Sequence, residues 1–139
     1  MRDSVTLPPD ASAARAARTW IRDRIDGHRI AVSSEDCELV VTELVSNALR
    51  HGQGPPELGL EVLDGHLRLT VRDGDGGVGK VHIAADRSVH DISGRGLRIV
   101  EALVDDWGVT STSGGKLVWV LIRYAGPSDG SGALTTAAG

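Results

Sequence analysis

The chain has 139 residues, a formal net charge of −4 and an apolar share of 40%, enough for one domain with a real core. With three tryptophans, one tyrosine, no phenylalanine and no basic run, it offers neither stacking platforms for single-stranded nucleic acid nor a patch for a phosphate backbone. Its one cysteine, Cys37, permits no internal disulfide; no apolar run is long enough to span a bilayer and no secretory h-region opens the chain, so a cytoplasmic location away from membranes is the expectation.

Val5 and Leu7 alternate with polar residues before Pro8-Pro9, the pattern of a short edge strand ended by prolines. Asp10 suits the cap of a helix over 11–25, whose alanines, Trp20, Ile21 and Ile25 favour one face and which Gly27 ends. Ser33 or Ser34 caps a second helix, with acids in its first turn, running to about His51 and closed by Gly52; 53–56 is a loop. Leu58, Leu60 and Val62 alternate, as do Leu67, Leu69 and Val71, with the hairpin signal Asp64-Gly65 between them. Residues 73–79 end that strand in glycines, and 80–93 form a loop of weak periodicity. Gly94-Arg95-Gly96 opens a third helix from Leu97 to about Asp105, and 107–112 and 117–124 make a last hairpin around 113–116. The stretch 126–139 holds one large apolar residue, Leu134, and is expected to be a disordered tail behind a domain of residues 1–125. This order predicts an α+β two-layer sandwich, a mixed and mostly antiparallel sheet with three helices on one face.

Three constellations carry chemistry. On the second helix Glu43, Asn47 and His51 fall at i, i+4 and i+8, in a stripe that also holds Val40, Leu44 and Ala48. An acid and an amide turned toward an interior need a use, because an unpaired buried polar group costs about 1–3 kcal/mol. The bland alternative pairs Glu43 with Arg50 on a solvated face. The second constellation is Asp73-Gly74-Asp75-Gly76-Gly77-Val78-Gly79, a carboxylate at a strand end followed by glycines that let a ligand approach the backbone. Its spelling also matches a dinucleotide fingerprint, but 80–93 is too short and irregular to supply the helix and parallel strand that the fingerprint requires. A calcium loop would need a glutamate where Ala84 stands. The third is Gly94-Arg95-Gly96-Leu97, where free N–H groups at a helix start favour an anion. His28, His66, His82 and His90 show no metal-ligand spacing, and His51 reads as structural.

Taken in chain order, these pieces resemble the ATP-binding domain of the GHKL (Bergerat) ATPases over roughly Ser4–Tyr124. Glu43 to Asn47 looks like their N box, 73–79 like the G1 box and 94–97 like the G2 box. The short form Glu-x-x-x-Asn-Ala-x-x-His, together with the segment 93–108, is similar to the bacterial anti-sigma-factor serine/threonine kinases of actinobacterial type. The resemblance implies ATP and Mg²⁺ as cofactors. Asn47 would give its side-chain oxygen to the metal, and Glu43 would be the general base for an attacking hydroxyl. A G1 aspartate would read the adenine amine: Asp73 by strand register, or Asp75 by the spelling Asp75-x-Gly77-x-Gly79. Gly94, Arg95, Gly96 and Leu97 would face the phosphates, and 80–93 would be the lid. The implied function is phosphorylation of an anti-sigma antagonist and sequestration of a sigma factor or similar client, in a possible homodimer. The alternative is a regulatory module of the same fold that binds nucleotide or protein without phosphotransfer. Many relatives carry a threonine or serine near Lys116-Leu117-Val118, and Leu117 cannot donate that hydrogen bond.

Overall fold

The computed structural model describes residues 1–51, 54–73, 94–112 and 115–124. In chain order it contains β1 (Arg2–Thr6), α1 (Ala13–Gly27), α2 (Ser34–His51), β2 (Glu57–Leu63), β3 (His66–Arg72), α3 (Gly94–Leu103), β4 (Asp106–Thr112) and β5 (Gly115–Arg123). The strands form one sheet in the order β1-β2-β3-β5-β4. Every described pairing is antiparallel, so the mixed sheet expected from the sequence is antiparallel throughout these strands. β3 and β4 run in the same direction but are kept apart by β5.

Period-2 alternation gives the sheet its buried side: Leu58 and Leu60 on β2, Leu67, Leu69 and Val71 on β3, and Val118, Val120 and Ile122 on β5. These join one core with Ile21 and Ile25 of α1, Val40, Val41 and Val45 of α2, and Val100 of α3. α2 is the central helix, touching α1, α3 and β3. α2 therefore touches both the strand that leads to Asp73 and the helix that starts at Gly94. On the opposite side of the sheet, Gly108 lies against the Trp119 ring; a Cβ there would stand 2.5 Å from Cζ2, so only glycine fits without moving the indole.

Helix ends show where local rules hold. Ser33 caps α2 by accepting the Asp36 N–H at 3.0 Å. Asp10 does not cap α1 directly: its carboxylate takes the N–H and the hydroxyl of Ser12 at 2.9 and 2.6 Å, and the helix starts at Ala13, later than the expected Ala11. Gly27 belongs to the last helical turn, and the left-handed residue that reverses the chain is Arg29, with φ 54°. Arg29 N–H bonds to Asp26 O at 3.2 Å and Ile30 N–H to Ile25 O at 3.0 Å, the paired bonds of a Schellman ending. A side chain at positive φ costs about 1–2 kcal/mol, more than the extra chain entropy of glycine, about 0.5–1 kcal/mol. Arg29→Gly should therefore stabilise the domain by up to about 1 kcal/mol, read as a higher urea midpoint at unchanged slope.

The β2–β3 turn is as expected, with Leu63 paired to His66 and Gly65 at φ 78°. α3 begins at Gly94, so both glycines lie inside its first turn, and it ends at Leu103 where the sequence suggested about Asp105. Asp105 instead joins the sheet: its N–H bonds to Leu121 O at 2.8 Å and its carboxylate accepts the Arg123 N–H. The last turn is tighter than expected. Thr112 pairs with Gly115, which makes Gly115 and Lys116 strand residues. The expected lid, 80–93, and the expected tail, 126–139, lie outside the described residues. No helix among the described residues is long and apolar enough to cross a membrane.

Candidate functional site

The inward stripe of α2 is as the helical period dictates. Val40, Leu44 and Ala48 are buried, and Asn47 is only 2% exposed. Asn47 is also the anomaly of the fold. Neither its Oδ1 nor its Nδ2 has a hydrogen-bond partner among the described residues, although an amide can make up to four such bonds. One turn earlier, Glu43 is half-buried. It forms no ion pair with another described residue, and Arg50 is exposed, so the bland Glu43–Arg50 pair is not made. The backbone of this stretch is held in place by Ser33 at the N-terminus and by α1. Arg22 makes two bonds to Glu38 at 3.1 and 3.3 Å, and Arg18 reaches Thr42 at 3.3 Å.

Asp73 is the first residue beyond β3 and is 5% exposed. It continues the buried parity of Leu67, Leu69 and Val71, and its N–H donates to Lys116 O at 3.0 Å. Asp75, Gly77 and Gly79 lie outside the described residues. The backbone of Gly94, Arg95, Gly96 and Leu97 forms the first turn of α3, whose unspent N–H groups point out of the helix start. Because α2 touches both β3 and α3, the helix carrying Glu43 and Asn47 runs beside the strand that leads to Asp73 and beside the Gly-Arg-Gly helix.

One buried residue escaped the sequence reading. Leu117 stands opposite Arg72 and Thr110 and faces away from the core, where it lines a shallow cleft of about 450 Å³ with Gly59, Thr70 and Arg72. The inward side chain at this level is its neighbour Lys116, 7% exposed. Counting parity back from Val120 and Val118 along the last strand would have pointed to it.

The remaining candidates do little. His28 is exposed, and His66 keeps Nδ1 at 3.3 Å from Asp64 O. Cys37 is buried in the core, and that burial pushes its thiol up to about 12, which leaves it inert as a nucleophile. Among the described residues there is no cluster of three or more His, Cys, Asp or Glu side chains able to hold a metal. A divalent ion bound largely by phosphate and water needs no such cluster. The orphaned Oδ1 of Asn47 is a neutral hard oxygen of the kind Mg²⁺ accepts, so the residues fit that ion.

Comparison with known proteins bears on the fold and the family. The profile of the histidine kinase-like ATPase domain matches residues 7–122. Serine-protein kinases RsbW of Listeria monocytogenes serotypes 4a and 4b are 28% identical over 125 residues, covering 76% of this chain and 78% of theirs. The solved RsbU and RsbW domains of Rv1364c from Mycobacterium tuberculosis superpose with a TM-score of 0.67 at 23% identity, over 91% of this chain and 33% of that one. The Acinetobacter baumannii histidine kinase AdeS gives a TM-score of 0.55 at 18% identity, over 88% of this chain and 68% of that one. Full-length ShkA in complex with AMPPNP gives 0.52 at 19% identity, over 88% of this chain and 32% of that one. This chain thus spans about a third of the first and last of these solved chains. At these identities the structural matches speak for the fold alone.

Proposed function

The chain belongs to the histidine kinase-like ATPase domain family, and from that premise we propose that it is an ATP- and Mg²⁺-dependent serine/threonine kinase of the anti-sigma type. Its phospho-acceptor would be an anti-sigma antagonist, and its client a sigma factor or similar regulator, bound in alternation, with a homodimer as the working unit. The observation that carries the reading is Asn47. A buried amide with two orphaned polar atoms, one turn from a half-buried acid, is costly for a fold that does not use it. The similarity to serine-protein kinases RsbW supports a serine acceptor.

In this reading each residue has a task set by its chemistry. Asn47 Oδ1 holds Mg²⁺, and its Nδ2 is left to donate to a phosphate oxygen. When bound, Mg²⁺ neutralises triphosphate charge that would otherwise repel an incoming nucleophile. Glu43 accepts the proton of the attacking serine or threonine hydroxyl as its oxygen bonds to the γ-phosphorus and ADP leaves. Asp73 accepts a hydrogen bond from the exocyclic amine of adenine, a task that suits its burial at the strand end, with Asp75 as the rival by motif spelling. The first-turn N–H groups of α3, from Gly94 to Leu97, cradle the phosphates, with the charge of Arg95 as a further attraction for them. Gly77 and Gly79 let the base approach the backbone.

The test is transfer from γ-labelled ATP with magnesium to an antagonist-type protein, sought among the products of the neighbouring genes. Acid-stable phosphate on serine or threonine is the expected result. Acid-labile label on histidine would overturn the kinase class, and ATP binding without any transfer would leave the module reading in its place.

A further inference from the structure

The ladder between β3 and β5 extends one step past the last assigned pair. Val71 stands opposite Val118 and Arg72 opposite Leu117, and then the Asp73 N–H donates to the Lys116 carbonyl at 3.0 Å. Asp73 and Lys116 are therefore cross-strand neighbours. Both follow the buried parity, Asp73 with Val71 and Lys116 with Val118, and both are nearly out of water at 5% and 7% exposure. Lys116 forms no side-chain hydrogen bond or ion pair, not even with Asp73, among the described residues.

A lysine in this place is not a stray surface charge. Of the 15 basic residues of the chain only Lys80 and Lys116 are lysines; arginine supplies every other positive charge. The aliphatic stem of Lys116 lies on the buried side, while its ammonium is neither fixed by a described side chain nor sealed from solvent, which leaves it free to meet an acceptor brought by a ligand. The ligand edge that Asp73 and Lys116 match together has a donor beside an acceptor. The amino group and adjacent ring nitrogen of adenine form such an edge, the first facing a carboxylate and the second an ammonium.

We infer that Lys116 is a base-contacting specificity residue, whose ammonium donates to the ring-nitrogen acceptor of adenine while Asp73 takes the exocyclic amine. This rests on the nucleotide-binding reading above. It gives the adenine end of the site a charged donor from this chain's own sequence, in the place where Leu117 offers nothing.

The test is titration calorimetry on the full chain with magnesium, using ATP and 1-deaza-ATP, which lacks only the ring acceptor. A hydrogen bond to a charged group corresponds to about a tenfold to hundredfold change in affinity. Wild type should bind 1-deaza-ATP weaker than ATP by that factor. Lys116→Met, which keeps the aliphatic stem, should lose the same factor toward ATP and no longer distinguish the two ligands. Lys116→Arg, which keeps a donor, should restore part of the preference. The comparison of ligands on wild type needs no variant, so a folding defect in Lys116→Met cannot obscure the result. Equal affinity of wild type for both ligands overturns the role of Lys116 while leaving nucleotide binding intact. An ATP/1-deaza-ATP ratio unchanged by Lys116→Met overturns it equally. Absence of ATP binding by wild type overturns the nucleotide reading itself, and this inference with it.

Discussion

Asn47→Leu should make the nucleotide-free protein more stable and leave it unable to bind Mg·ATP. The two effects have one cause. Asn47 is 2% exposed with both amide atoms unpartnered, so the empty fold bears the desolvation of a donor and an acceptor, about 1–3 kcal/mol for each such group. Leucine has the same branched outline with bulkier tips and nothing to desolvate, and its neighbours on the stripe, Val40, Leu44 and Ala48, already make an apolar wall. Part of the gain is lost to imperfect packing, which leaves a net increase of about 1–3 kcal/mol, or a melting temperature higher by a few degrees. If Asn47 holds Mg²⁺, the variant also loses its metal ligand. Wild type at 100 times the dissociation constant of its ligand should be stabilised by about 2.7 kcal/mol, and the variant by nothing. Differential scanning fluorimetry with and without Mg·ATP reads both signs in one experiment. A melting temperature that falls in the empty variant would mean that the amide is paired in solution and that the central observation of the site is mistaken.

Glu43→Gln should separate binding from chemistry. Glutamine keeps the shape and the hydrogen-bonding reach of the acid but cannot take up a proton at neutral pH. If Glu43 is the base, phosphate transfer falls by about 10²–10⁴-fold. Affinity for Mg·ATP should hold or rise slightly, because one negative charge near the triphosphate has gone. Single-turnover transfer measured beside equilibrium binding distinguishes this from damage to the site, in which both would fall together. A transfer rate within about threefold of wild type would remove Glu43 from the mechanism and leave positioning of ATP as the whole of catalysis.

Much of the molecule follows from short-range patterns. The stripe of α2 was readable because helical neighbours are three and four residues apart, so Val40, Glu43, Leu44, Asn47 and Ala48 fall on one side whatever surrounds them. The β2–β3 hairpin was equally legible, since Asp64-Gly65 and two alternating runs suffice to set a two-residue turn. The end of α1 was not. A glycine stood where one is expected, yet the chain reversed at Arg29, because the contacts of Ile25 and Ile30 set where the helix had to stop. The last turn was misjudged for a related reason, since its strand limits depend on pairing across Thr112 and Gly115.

The amino-acid order by itself determined the fold class, the family and the acid-amide stripe on α2, all of which rest on periodicities closed within one element. Tertiary structure alone decided that β5 runs between β3 and β4, that Lys116 lies across from Asp73, and that Asn47 finds no partner among the described residues. Strand pairing joins segments more than forty residues apart, and side chains alternate at every step. A shift of one residue in register would exchange the inside for the outside, and nothing local to the last hairpin could say which residue of β3 its inward side chains would stand beside.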